Sequence, residues 1–106
     1  MKKEKTVEPT ITISKNDGVI TINIPERFDF NSHSEFRQAY CNNKKGIKYK
    51  LNFVKTAYID SSALGMLLLM HEHNGGDSKK NILIVNHKET VTNIFKVANF
   101  DRIFGM

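Results

Sequence analysis

The fold is decided by the stretch Tyr58-Ile59-Asp60-Ser61-Ser62-Ala63-Leu64-Gly65-Met66-Leu67-Leu68-Leu69. An apolar, strand-like segment at residues 50–54 precedes it, and a Leu- and Met-rich helix follows Asp60. The first amides of a helix have no partners inside the helix, so Asp or Ser at this junction is typical of an N-cap. The same amides attract anions. The stretch therefore predicts a strand–loop–helix unit whose serine hydroxyls are candidate phosphorylation sites.

On the N-terminal side of this unit, residues 10–14 and 19–24 alternate apolar and polar side chains, which is typical of strands. They flank Asn16-Asp17-Gly18, a strong signal for a tight hairpin turn, and Pro25 ends the second strand. We expect the two strands to pair in antiparallel fashion. Residues 1–8 should form a flexible N-terminus.

The rest of the chain alternates helical and extended patterns. Gly75-Gly76 should end the helix that begins after Asp60. The predicted elements after the hairpin are a helix over 35–41, a strand over 48–54, a helix over about 60–74, a fully buried strand over 81–86, a helix over 88–98 and a short strand over 100–104. This β-β-α-β-α-β-α-β order predicts an α/β fold, with helices packed against a mixed, mostly parallel sheet.

Composition limits the class of protein. The chain has 106 residues, enough for one domain, and its single cysteine, Cys41, excludes an internal disulfide and fits a reducing compartment. The longest apolar run, residues 64–70, is too short to span a bilayer, and no signal-peptide pattern follows the charged N-terminus. We therefore expect a cytoplasmic protein. The net charge of +5 comes from loop lysines without interleaved aromatic residues, so the sequence does not favour nucleic-acid binding.

Metal, catalytic and nucleotide sites each lack a necessary part. His71 and His73 are two residues apart on a predicted helix and point in different directions, so a solvated helix end is favoured over a metal site. Asp60 and Ser61 could pair with His33 or His71 in a hydrolase, but no Gly-x-Ser-x-Gly elbow is present. No Gly-x-x-x-x-Gly-Lys loop is present either. We predict no catalytic residue and no cofactor. A plain helix cap remains the simplest alternative for Asp60.

The order of elements, together with Asp60-Ser61-Ser62-Ala63-Leu64-Gly65, resembles the STAS domain family, whose soluble bacterial members are anti-sigma factor antagonists. The family signature reads Asp-Ser-Ser-Gly-Leu-Gly, and this chain matches five of the six positions, with Ala63 in place of a Gly. Ala suits a helix interior better than Gly does. Arg27-Phe28-Asp29 is a second, weaker match. The likeness covers about residues 10–104, so we expect one STAS-like domain over residues 9–106.

The resemblance implies a phosphorylation-controlled binding protein. The matching phosphoacceptor is Ser61, with Ser62 as the fallback. The implied partners are a serine kinase of the histidine-kinase-like ATPase type that is also an anti-sigma factor, and a PP2C-type phosphatase. The unmodified form would bind the anti-sigma factor, with no role for nucleic acid or membrane. The alternative is a STAS interaction module in another signalling assembly that does not act on a sigma factor. Many relatives have a further C-terminal helix, which we do not expect here.

The expected site is centred on the start of the helix. Asp60, Ser62 and Gly65 should support the cap and the switch. The partner surface should also include the loops at residues 27–32 and 55–59, where Phe30 and Tyr58 are either contact residues or core residues. The residues expected to contact a partner are Arg27, Phe28, Asp29, Phe30, Tyr58, Ile59, Ala63 and Met66.

Overall fold

A four-stranded sheet lies at the centre of the computed structural model, which describes residues 11–106. The predictions for residues 1–8 and for Thr10 lie outside the described residues. The strands and α-helices, in chain order, are β1 (Thr12–Asn16), β2 (Val19–Asn23), β3 (Arg27–Phe28), α1 (His33–Gln38), β4 (Lys48–Asn52), β5 (Tyr58–Ile59), α2 (Ser61–His73), α3 (Ser78–Asn81), β6 (Ile82–Val85) and α4 (Glu89–Val97). The strand order is β1-β2-β4-β6.

The first two strands form the predicted hairpin. Asn16 pairs with Val19 across a two-residue turn, and both turn residues, Asp17 and Gly18, have positive φ angles of 53° and 79°. This is the conformation that Asp-Gly turns favour because it matches the twist of the strands. β1 is antiparallel to β2, whereas β2, β4 and β6 are parallel to one another. The predicted mixed, mostly parallel sheet is therefore confirmed.

The helices cover one face of the sheet. Ile22, Leu51 and Ile84 are neighbours across β2, β4 and β6, and all three side chains are buried. Lys50 and Leu83 are also neighbours, and both point to the open face. The prediction that residues 81–86 are buried throughout is therefore wrong, because alternate side chains of a strand covered on one face remain exposed.

The C-terminal segment differs from its prediction. Residues 100–104 are not a strand: Phe100–Arg102 form a 3₁₀ helix, and the amide of Phe104 donates to the carbonyl of Phe100 across 2.9 Å. In a strand, Arg102 would lie on the same face as the buried rings of Phe100 and Phe104. The helical turn instead leaves Arg102 exposed. Gly105 then forms a parallel bridge with Leu83 at the outer edge of β6.

Several short elements were not predicted. β3 and β5 pair in parallel as a separate two-stranded sheet, and α3 precedes β6. Each has only two to four residues, too few for a periodic pattern to emerge. α1 ends at Gln38, three residues before the predicted end at Cys41. Among residues 11–106, no helix combines the length and apolar content that crossing a membrane requires.

Candidate functional site

The start of α2 is capped by the side chain of Asp60. Asp60 has an extended backbone (φ −115°, ψ 179°), and its Oδ1 accepts a hydrogen bond of 2.9 Å from the amide of Ala63. Its carbonyl accepts the first helical bond, from the amide of Leu64. This is the side-chain geometry of an N-cap, in which a carboxylate satisfies an amide that has no partner inside the helix.

The two serines therefore occupy the first two positions of α2, and both are exposed. Within residues 11–106, neither hydroxyl has a hydrogen-bond partner. A phosphate on either serine would lie close to the free amides and to the positive end of the helix dipole. The geometry thus leaves two hydroxyls open to an enzyme and places them where a negative charge is tolerated.

The two serines lie on different sides of α2. Spacings of three and seven residues place Ser61 in line with Leu64 and Leu68, on the side that faces α4. A shallow apolar groove of about 330 Å³ lies there, and its lining includes Leu64 and the exposed side chain of Val97. Ser62 is instead in line with Leu69, seven residues further along. Modification of Ser61 and of Ser62 would therefore alter different surfaces.

Gly65 lies on the exposed side of α2, four residues after Ser61. Apart from its two chain neighbours and the adjacent backbone of α2, a Cβ atom at this position would have no atom of the described residues within 4 Å. No steric contact therefore requires a glycine here. Because side chains on a helix lean toward its N-terminus, a long side chain at residue 65 would extend over Ser61. The glycine leaves that hydroxyl uncovered.

The small β3–β5 sheet lies directly before α2 in the chain. Arg27 pairs with Tyr58 and Phe28 pairs with Ile59. The guanidinium carbon of Arg27 lies 4.2 Å from the centre of the Tyr58 ring, within the range of a cation–π contact. The Nε atom of Arg27 also lies 3.5 Å from Oδ2 of Asp29. These contacts fix the two predicted contact loops against each other.

The loop after β3 presents an aromatic side chain to solvent. The carboxylate of Asp29 accepts a hydrogen bond of 3.0 Å from the amide of Asn31, which caps the short 3₁₀ helix Phe30–Ser32. The Phe30 ring is 68% exposed and stacks on His33 with a centroid distance of 6.0 Å. The capped turn therefore holds a large apolar ring in contact with solvent.

The structure divides the predicted contact residues into two groups. Arg27, Phe30 and Tyr58 are exposed and Asp29 is half-buried. The side chains that are buried in the core, and therefore cannot contact a partner in this structure, are those of Phe28, Ile59, Ala63 and Met66. Strand alternation turns the first two inward, and helical spacing places the last two on the core face of α2. They support the surface from beneath.

His71 and His73, near the end of α2, contact neighbouring loops. His71 Nδ1 lies 2.6 Å from the hydroxyl of Ser78, and His73 Nε2 lies 3.3 Å from the carbonyl of Asn43. Both rings are half-buried, so the predicted solvated helix end is corrected to one packed against neighbouring loops. His71 is ten residues from Ser61 on the same helix, roughly 15 Å, which is too far to act as its base. In the described part of the chain, no three metal-binding side chains converge.

Comparison with known proteins places this geometry in a family. No family model matches the chain. The chain is 40% identical over 88 residues to a STAS-domain containing protein of Pseudomonas aeruginosa strain UCBPP-PA14, a match that covers 80% of this chain and 84% of the relative.

Two solved structures have a similar fold. A candidate anti-sigma factor antagonist from Thermotoga maritima aligns with a TM-score of 0.74 and 20% identity, over 90% of this chain and 83% of that protein. The anti-sigma factor antagonist SpoIIAA, in its unphosphorylated form, aligns with a TM-score of 0.57 and 14% identity, over 91% of this chain and 99% of that protein. The sequence match and the shared architecture lead to one conclusion: this chain belongs to the STAS-domain family.

Proposed function

We propose that the protein is a phosphorylation-controlled partner-switching module. In this proposal, the chain with unmodified Ser61 binds an anti-sigma factor that is also a serine kinase of the histidine-kinase-like ATPase type. Phosphorylation of Ser61 releases that partner, and a PP2C-type phosphatase restores binding. The observation that carries the proposal is the exposed Ser61 hydroxyl at the start of α2, directly after the capping Asp60. The two solved relatives, described as anti-sigma factor antagonists, add support.

The local energetics favour a switch that acts at the interface. A phosphate adds a charge of about −1.5 to −2 at neutral pH. The helix dipole favours that charge by roughly 0.3–1 kcal/mol, and the neighbouring carboxylate of Asp60 opposes it. These opposing effects are small, so the fold of the free protein should not change. A docked partner would have to desolvate the new charge, which costs several kcal/mol when the charge has no partner.

The partner surface in this proposal consists of the exposed residues around Ser61. Arg27 and Tyr58 are held by the β3–β5 pairing, and Phe30 extends from the adjacent capped turn. Leu68 and Val97 add exposed apolar area on the side of α2 that includes Ser61. An apolar surface with an aromatic anchor and one guanidinium is the composition typical of interface hot spots.

Phosphate transfer can be tested with the source organism's own kinases. The protein should be co-expressed with each histidine-kinase-like serine kinase and then analysed by intact-mass and peptide-fragment mass spectrometry. We expect one phosphate, on Ser61. Ser61→Ala should abolish it, and Ser62→Ala, the matched control, should retain it. A phosphate that stays on the Ser61→Ala variant would refute the assignment.

Binding is tested with the same kinases. Ser61→Ala should bind its partner constitutively, whereas Ser61→Glu should bind at least about tenfold more weakly, which corresponds to about 1.4 kcal/mol. Ser62→Glu introduces the same charge about 100° further around α2 and should have a smaller effect. Equal affinities of the Ser61→Ala and Ser61→Glu variants for the partner would contradict the proposed phosphorylation switch. Binding to a protein unrelated to sigma factors would favour a role in another signalling assembly.

A further inference from the structure

A basic groove lies along the second half of α2, on the side of the helix that carries Leu69 and is in line with Ser62. It has a volume of about 660 Å³ and runs between the end of α1, the following loop and the second half of α2. Arg37, Lys44 and Lys45 line it, together with the exposed side chains of Leu69 and Glu72. Three permanent cations therefore face one carboxylate. Within residues 11–106, no carboxylate lies within 4.0 Å of any of the three cations.

The loop that carries the two lysines is held in place by buried hydrogen bonds. The side chain of Asn74, which is 4% exposed, accepts from the amide of Ile47 at 3.2 Å and donates to its carbonyl at 2.9 Å. The Asn74 carbonyl accepts from the amide of Gly46 at 3.1 Å. The stem of Lys45 lies over Gly75, where an added Cβ atom would be 3.8 Å from the Lys45 Cβ. The cations are thus presented from an ordered loop.

We infer that this groove is a docking site for an acidic segment of a partner protein. The three cations supply charge complementarity, and the exposed Leu69 on the α2 wall would contact an apolar side chain of the segment. The open side of the groove favours a peptide over a small molecule, because small-molecule sites enclose most of the ligand surface. Nucleic acid is disfavoured because the Tyr40 ring is buried and cannot serve as a stacking platform. The inference does not depend on phosphorylation of Ser61.

The test uses the whole protein and a fluorescent peptide in which Leu residues are interspersed among Glu residues. We expect saturable binding, with NMR shift changes on α1 and the second half of α2. The double variant Lys44→Gln/Lys45→Gln should weaken binding by about three- to tenfold, as expected for the loss of two exposed ion pairs. The matched variant Lys48→Gln/Lys50→Gln removes the same charge from β4 and should weaken binding by less than about twofold.

The other outcomes overturn the inference. Equal losses in the two double variants would show that the peptide responds only to the net charge. A peptide with Gln in place of every Glu that binds equally well would exclude charge recognition. Tighter binding of a single-stranded oligonucleotide or of inorganic pyrophosphate, lost in the Lys44→Gln/Lys45→Gln variant, would assign the groove to a different ligand. Absence of peptide binding by the wild-type protein would also overturn it.

Discussion

The hydroxyl of Thr56 donates a hydrogen bond of 2.9 Å to the carbonyl oxygen of Pro25, and the Thr56 side chain has no exposed surface. This bond joins two loops that are 31 residues apart in the chain. Directly beside it, the amides of Ala57 and Tyr58 both donate to the carbonyl of Glu26. Together these bonds fix the loop before β3 against the loop before β5, and so position the surface that carries Arg27 and Tyr58.

Replacement of Thr56 by Val should therefore destabilise the protein. The variant keeps the side-chain shape but leaves the buried Pro25 carbonyl without this donor, which costs about 1–3 kcal/mol. Urea unfolding followed by circular dichroism measures the loss. Thr90→Val, at an exposed position on α4, is the matched control and should change stability by less than about 0.5 kcal/mol. Similar losses in both variants would contradict a specific role for the Thr56 bond.

The cap of α2 should depend on the acceptor oxygen of Asp60. Asp60→Ala removes the hydrogen bond to the amide of Ala63 and should lower the free energy of unfolding by about 0.5–2 kcal/mol. Asp60→Asn retains an acceptor oxygen and should lose much less. Both variants can be compared by thermal and urea unfolding. If they lose the same amount, the carboxylate charge rather than the hydrogen bond stabilises the helix.

Phosphorylation of Ser61 should leave the stability of the free protein nearly unchanged. The favourable helix dipole and the unfavourable neighbouring charge of Asp60 oppose each other, and each contributes about 1 kcal/mol or less at an exposed site. Urea unfolding of the phosphorylated and unmodified proteins provides the measurement. NMR shift changes should be confined to the start of α2 and the adjacent loops. Changes spread across the central sheet would show a conformational mechanism instead.

Gly65→Ala should stabilise the protein by about 0.5–1 kcal/mol. Gly65 is in the interior of α2 with open space around it, so Ala removes the entropic cost of glycine without a clash. Gly18→Ala is the matched control: it also has open space, but its φ of 79° strains any residue with a Cβ, so it should destabilise. Differential scanning calorimetry distinguishes the two. A destabilised Gly65→Ala variant would reveal a constraint that the geometry does not show.

Stability should fall in strong alkali because of two buried tyrosines. Burial raises the pKa of the Tyr40 phenol, despite the opposing charge of Arg37, and burial also raises the pKa of the Tyr49 phenol. Above about pH 10, the unfolded chain therefore loses these protons before the folded chain does. The unfolded state then binds fewer protons, so the free energy of unfolding decreases as the pH rises.

The Tyr40 contribution can be isolated by substitution. Tyr40→Phe should make the decrease between about pH 9 and pH 11 less steep, as measured by urea unfolding at each pH. Thr90→Val, which removes no titratable group from an exposed position, is the control and should leave the slope as it is in the wild type. A wild-type slope in the Tyr40→Phe variant would mean that burial of this phenol does not contribute to alkaline unfolding.

Local chemistry was sufficient to predict the elements that contain their own signals. The Asp17-Gly18 turn, the strands that flank it and the Asp60 cap of α2 each depend on a few consecutive residues whose conformations are favoured without the rest of the chain. The spacing of apolar residues also predicted α4, observed at Glu89–Val97. The STAS resemblance rested on the predicted order of elements together with the stretch Asp60-Ser61-Ser62-Ala63-Leu64-Gly65.

Contacts between distant segments determined the features that the local sequence pattern did not predict. The pairing of β3 with β5, the packing that leaves Leu83 exposed and the anchoring of the Lys44–Lys45 loop by Asn74 all depend on residues that are far apart in the chain. Two-residue strands have no period, and a continuous apolar run does not reveal that the helices of residues 11–106 cover one face of the sheet and leave Leu83 exposed on the other. Such features form only when packing compensates the entropic cost of closing long loops. The pattern of consecutive residues does not determine whether packing exceeds that cost.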